Sequence, residues 1–271
     1  MISTKLKLWR SVGAAVLLAA CNPGGEAGGE AGGEAAAQGE AGEAAAGEGG
    51  EAAIGESGGE HGEAGVAAAY AGVSGDQRTA LRLQQLKGFV MIAERYAEGD
   101  TTAEAAILVQ QGLLEVYDPA TDQFGAFDVA PVRAAGAADG LSRPQMAQQL
   151  QAANAAINAA RGNLDTDYAD LTVRMVELST GLYAHVTQDG FVDPIEYQHS
   201  YGAALAARDA LAAGEDALRA RDAAAYDEGL AELNRFVELW PTHVAPETPT
   251  PYANVVRQAS RVRLALAPFV T

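Results

Sequence analysis

Apolar residues recur along much of the chain at alternating steps of three and four, the repeat that lines one face of an α-helix. Leu83, Leu86, Val90, Ala93 and Ala97 make the first such stripe, and Met146, Leu150, Ala153, Ile157 and Ala160 the second. Leu171, Met175, Leu178 and Leu182 follow, with His185 at the next position of the same stripe. Tyr226, Leu230, Leu233, Val237 and Trp240 form another, and Tyr252, Val255, Ala259, Val262 and Leu266 the last. Segments 103–117 and 194–213 are helical by composition, with less regular stripes. No stretch alternates with period two for long enough to build a sheet. The pattern predicts an all-α fold, a single bundle of about seven helices, over residues 76–271.

The expected breaks are Gly99-Asp100, Asp118-Pro119, Gly162-Asn163 and Gly214, with VAPETPTP at 244–251 as a stiff, extended link into the last helix. The longest connection runs from Ala120 to Arg143 through Gly125, Pro131, Gly136 and Gly140. Its length makes it the expected functional loop, with room for short helical turns. Alanines on many inner faces predict helices that approach closely.

The first quarter of the chain follows a different rule. MISTKLKLWRSVGAAVLLAAC sets Lys5, Lys7 and Arg10 before an apolar run from Val12 to Ala20, the layout of a secretory leader over residues 1–20. That run is too short to span a bilayer. Leu18-Ala19-Ala20-Cys21 resembles the lipobox of bacterial lipoproteins, in which the Cys becomes the acylated first residue. The expectation is lipidation at Cys21, a palmitate-type membrane anchor, and a location at the cell envelope facing the periplasm. Asn22, where an Asp would retain the protein, favours the outer membrane. Cys21 is the only cysteine, so no disulfide forms within one chain. Residues 21–75 then read as an acylated Cys and a disordered tether of Gly, Ala and Glu, too poor in apolar side chains to offset ordering entropy. Its roughly 50 residues would span on the order of 40 Å. Glu60, His61 and Glu63 within it predict at most loose, unorganised cation binding.

The full chain has 18 basic and 36 acidic residues, and loss of the leader takes away three of the basic ones. Such a polyanion is repelled by nucleic-acid phosphates, so no DNA or RNA partner is expected. Cations, or a basic surface on an envelope protein, suit it better. Motifs for thiol catalysis, a serine nucleophile elbow, a phosphate loop and a metalloprotease helix are all missing from the sequence, which argues against an enzyme.

Residues 189–199, DGFVDPIEYQH, carry the candidate chemistry. From His185 to Glu196, HVTQDGFVDPIE makes a twelve-residue frame in which Asp189, Gly190, Asp193 and Glu196 match the second half of a calcium loop. His185 and Thr187 stand where the first half needs carboxylates, so the match is to a degenerate EF-hand. Glu196 and His199 alternatively form a Glu-x-x-His pair on one helical face. With His185 at the end of the preceding helix, they suggest a mononuclear site for a divalent or iron cation, with His185, Asp189, Glu196 and His199 as candidates. The plainer reading is a turn at Asp189-Gly190 and a helix start with Asp193 as N-cap, Pro194 at N1 and Glu196 closing a capping box. That explains Asp193, Pro194 and Glu196 and leaves His185 and His199 over.

LRLQQLKGFVMIAERYAEGDTTAEAA, DGFVDPIEYQHSYGAALAARDAL and ELWP near 240 resemble a family of poorly characterised bacterial lipoproteins with GGE-rich leaders. The middle element is also similar to the helical extracytoplasmic domain of some high-affinity iron permeases. The resemblance covers most of residues 80–267 and implies an accessory role in iron handling or uptake at the envelope. Members tend to carry His after the Gly of the first helix and again in the second; here those places are Phe89 and, approximately, Leu108 and Gln111. If those histidines bind the metal, this chain has lost them, which leaves a partner-binding envelope scaffold as the alternative.

Overall fold

A computed structural model describes residues 63–270 except Asp100, Asp139 and Asp189, with side-chain surroundings from Val66 onward. Cys21 and the tether up to His61 lie outside the described residues. Those described belong to one compact unit, and the expected all-α architecture is what they form.

Nine α-helices are present among the described residues. They are α1 (Glu63–Tyr70), α2 (Gly75–Glu98), α3 (Thr102–Gly112), α4 (Ala130–Gly136), α5 (Arg143–Arg161), α6 (Tyr168–Tyr183), α7 (Pro194–Ala213), α8 (Glu215–Val237) and α9 (Tyr252–Leu266). The strands β1 (Thr187–Gln188) and β2 (Phe191–Val192) pair antiparallel between α6 and α7. The stripes of α2, α5, α6 and α8 turn inward as their spacing requires.

Two expectations about the elements need correction, the bound of the tether and the placement of Tyr252. The stretch 21–75 is not tether throughout, because α1 packs Ala69 and, after it, Val73 into the core against α6. Its EAGVAAAY is apolar but carries no one-sided stripe to mark it off from the tether, and its burial comes from packing against α6. The connection 120–143 holds the short helical turns it had room for: a 3₁₀ turn reaches Phe124, and α4 fills Ala130–Gly136. The second helix does end at Asp118-Pro119: α3 runs into a π-helical turn, Leu113–Tyr117, and that 3₁₀ turn begins at Asp118. Tyr252, assigned to an inner stripe, is 45% exposed.

The core has two parts. One is built from α1 and α6–α9, and the other from α2–α5. They meet where α2 crosses α7, at a contact between two glycines. A Cβ on Gly88 would lie 2.9 Å from the Gly202 carbonyl oxygen, and one on Gly202 2.6 Å from the Gly88 carbonyl oxygen. No side chain larger than hydrogen lets the backbones come so close. Beside the crossing, buried Lys87 donates to Asp209 and to Asn158 Oδ1 (both 2.6 Å), and Arg161 Nη1 bonds Asp209 Oδ2 (2.9 Å) and Gln84. Burial opposes the charge on Asp209, yet Lys87 and Arg161 outweigh it and hold its carboxyl below the usual range. This tie joins α2, α5 and α7.

Candidate functional site

The start of α7 is fixed locally. Asp193 Oδ1 accepts from the amides of Ile195 (2.8 Å) and Glu196 (3.3 Å), and Pro194 supplies the first-turn φ. The capping box is only half made, because the Asp193 amide donates to Val186 O (2.8 Å) as the hairpin closes. Glu196 is therefore not held back over its own helix start by that amide. Thr187 pairs with Val192 and Gln188 with Phe191, and Gly190 takes φ +83° at the turn. A two-stranded hairpin stands where the calcium frame needs a loop wrapped around an ion, and the Asp193 carboxylate is committed to the cap. The calcium likeness reflects the shared turn chemistry.

His185 sits half-buried in the turn after α6, and Asp189 lies outside the described residues. His199, one turn into α7, is buried. Its ring lies 4.8 Å from that of Phe89, its Nε2 is 3.5 Å from Gln111 Oε1, and its Nδ1 is 3.6 Å from Glu115 Oε2. Phe89 and Gln111 are two of the places at which the family resemblance expects histidines. His185, Glu196 and His199 do not assemble as a ligand trio: among the described residues, no three His, Cys, Asp or Glu side chains stand close enough together to hold a metal ion.

Glu115 is the residue that sequence reasoning missed. It lies within the π turn, where each bond spans five residues instead of four and the following side chains swing around the axis. Gly112, at the entry, lets the chain press on α2, since a Cβ there would meet Phe89 Cβ at 2.7 Å. The only signal in the sequence was a single carboxylate inside the apolar run GLLEVY.

The electrostatics of this pocket run against its geometry. Burial pushes the His199 imidazole down to about 4, against a smaller upward pull from Asp193. Burial first, and then the charge of Glu196, push the Glu115 carboxyl up to about 7. The 3.6 Å approach of His199 to Glu115 has the spacing of an ion pair, but between those two values neither partner is charged. What remains is a neutral imidazole beside the Glu115 carboxyl, and the charges of Glu115 and Glu196 repel each other. A cation arriving among them would relieve that repulsion and find an imidazole already free of its proton.

Two shallow cavities lie elsewhere. One, of about 280 Å³, is lined by Gln77, Asp165, Asp167, Asp170 and Val270. Two of its three carboxylates are occupied, Asp167 by the cap of α6 and Asp170 by Gln77 and Arg174. The other, of about 380 Å³, lies between the hairpin and the 247–252 link. No helix of the described residues is long and apolar enough to cross a membrane. No protein-family model, curated protein or solved structure matches the chain, and what the pocket does rests on its own chemistry.

Proposed function

We propose that this chain is a non-enzymatic helical accessory of the cell envelope that binds a metal cation as cargo. It would be held at the membrane by an acylated Cys21 and face the periplasm. The observation that carries the reading is the approach of the buried His199 to the half-exposed Glu115 at the π turn, 3.6 Å apart, with Gln111 at 3.5 Å. An imidazole nitrogen and a carboxylate form a mixed pair that suits a transition ion better than calcium, which takes six or more oxygens, and the remaining positions would fall to other groups or water. The family resemblance points to iron. Phe89 and Gln111 stand in place of two imidazoles, so the expected affinity is modest, and the side chains must close on the ion to coordinate it.

Calorimetric titration of the chain with ferrous, ferric, cupric, zinc and calcium ions tests this. The expected result is binding of a transition ion tighter than about millimolar, lost in E115Q/E196Q and kept in H185A. Weaker binding of every ion, or unchanged affinity in E115Q/E196Q, would overturn it.

A further inference from the structure

Helix α9 turns Val255, Gln258, Ala259, Val262, Ala265 and Leu266 into the bundle. Its opposite face is not an ordinary solvated one. Ala253, Val256, Ser260, Leu264 and Ala267 run down its middle at steps of 3, 4, 4 and 3, with Val256 38% and Leu264 76% exposed. Arg257 and Arg261 border this row on one side and Arg263 on the other. The helix contains no Asp or Glu, in a chain where acidic residues outnumber basic ones 36 to 18. The bundle makes little use of these cations. Arg263 reaches Glu177 only at 3.6 Å, Arg257 bonds Asn254 one turn back, and no described residue meets Arg261.

A row of small and aliphatic side chains flanked by arginines has two capacities. The row can enter the boundary between headgroups and acyl chains without a pocket to receive it. The guanidinium forks match phosphate oxygens in pairs. A protein partner would be expected to find an aromatic or deeply seated anchor within the row, and the row holds none; Tyr252, beside its start, is placed to sit at headgroup level. Glu177 lies within 3.6 Å of Arg263, whereas acidic charges more than about 8 Å from the face are largely screened at physiological ionic strength and do not veto the contact. We infer that the outward face of α9 docks on an anionic phospholipid surface, with Arg257, Arg261 and Arg263 on lipid phosphates and Val256 and Leu264 at the acyl boundary. The acyl anchor would keep such a surface within reach. The docking itself needs neither the anchor nor the His199 pocket.

The test is vesicle co-sedimentation of the chain from position 21 onward carrying C21S, so that neither leader nor acyl group contributes. Phosphatidylcholine vesicles are compared with vesicles that also contain phosphatidylglycerol. Binding is expected on the anionic vesicles alone, to weaken with added salt, and to fall roughly thirtyfold in R257Q/R261Q. Circular dichroism should show both proteins equally helical. Equal binding to both vesicle types, or no loss in the double variant, overturns the docking. So does salt-sensitive self-association that the double variant abolishes, which would assign the face to a second copy. E115Q/E196Q should bind vesicles like the parent, which separates this outcome from that of the metal titration.

Discussion

Two polar clusters flank the Gly88–Gly202 crossing, one toward the start of α2 and one toward the first turns of α7. In the first, Lys87, Arg161, Asp209, Gln84 and Asn158 meet at bonding distance, and each cation has a carboxylate oxygen of its own. In the second, His199 meets Gln111 and Glu115 at 3.5 and 3.6 Å, and burial has removed the charges that would draw them together. The same two helices therefore support a cluster that is saturated and one that is not. A saturated network leaves nothing for a ligand to satisfy, whereas an unsaturated pocket keeps its polar groups available. Position in the fold does not separate them, but the closing of their hydrogen bonds does.

The strongest way to break this contrast is Asp209→Asn. It leaves Lys87 and Arg161 buried without their carboxylate and is expected to cost about 3–5 kcal/mol in urea unfolding. A loss under about 1 kcal/mol would mean that water already serves the cations. Next comes Gly202→Ala, which forces a methyl onto the Gly88 carbonyl and should cost about 1–3 kcal/mol, although Ala is the better helix former by about 1 kcal/mol. An unchanged midpoint would show that the helices can separate freely at the crossing.

The pocket itself should barely register in stability at neutral pH, and its signature is the pH profile. From about pH 6.5 down to 4 the unfolded chain takes up a His199 proton that the folded chain refuses, so this group makes stability rise with pH. From 4.5 to about 7 the folded chain keeps a Glu115 proton that the unfolded chain has lost, so this group makes stability fall as pH rises. The two slopes oppose each other where they overlap. His199→Phe should leave the falling slope alone, and Glu115→Gln the rising one, in thermal melts taken across that range. Identical profiles in all three proteins would show that neither group is buried in solution as it is here.

Much of the fold was legible because helix periodicity is local. Leu83, Leu86, Val90, Ala93 and Ala97 alternate by three and four whatever they pack against, and all five are buried. The capped start of α7 was legible for the same reason, since Asp193 reaches amides two and three residues ahead. The pocket was legible only in part. His199 stood out as a residue that capping could not explain, but its partners Gln111 and Glu115 lie 88 and 84 positions away and reach it through a π turn that no local pattern announces.

The sequence by itself determined seven of the nine described helices, most of their inward faces, the turn before α7 and the strong negative charge, because each of these depends on neighbours within a turn or two or on composition alone. Tertiary structure decided which polar residues meet. It drew α1 out of the expected tether by packing it against α6, brought α2 and α7 into backbone contact through Gly88 and Gly202, and set Glu115 beside His199. Such meetings depend on where whole helices cross. A side chain's charge state follows from the burial and neighbours those crossings create, which is why the chemistry of His199 and Glu115 appears only once the bundle is assembled.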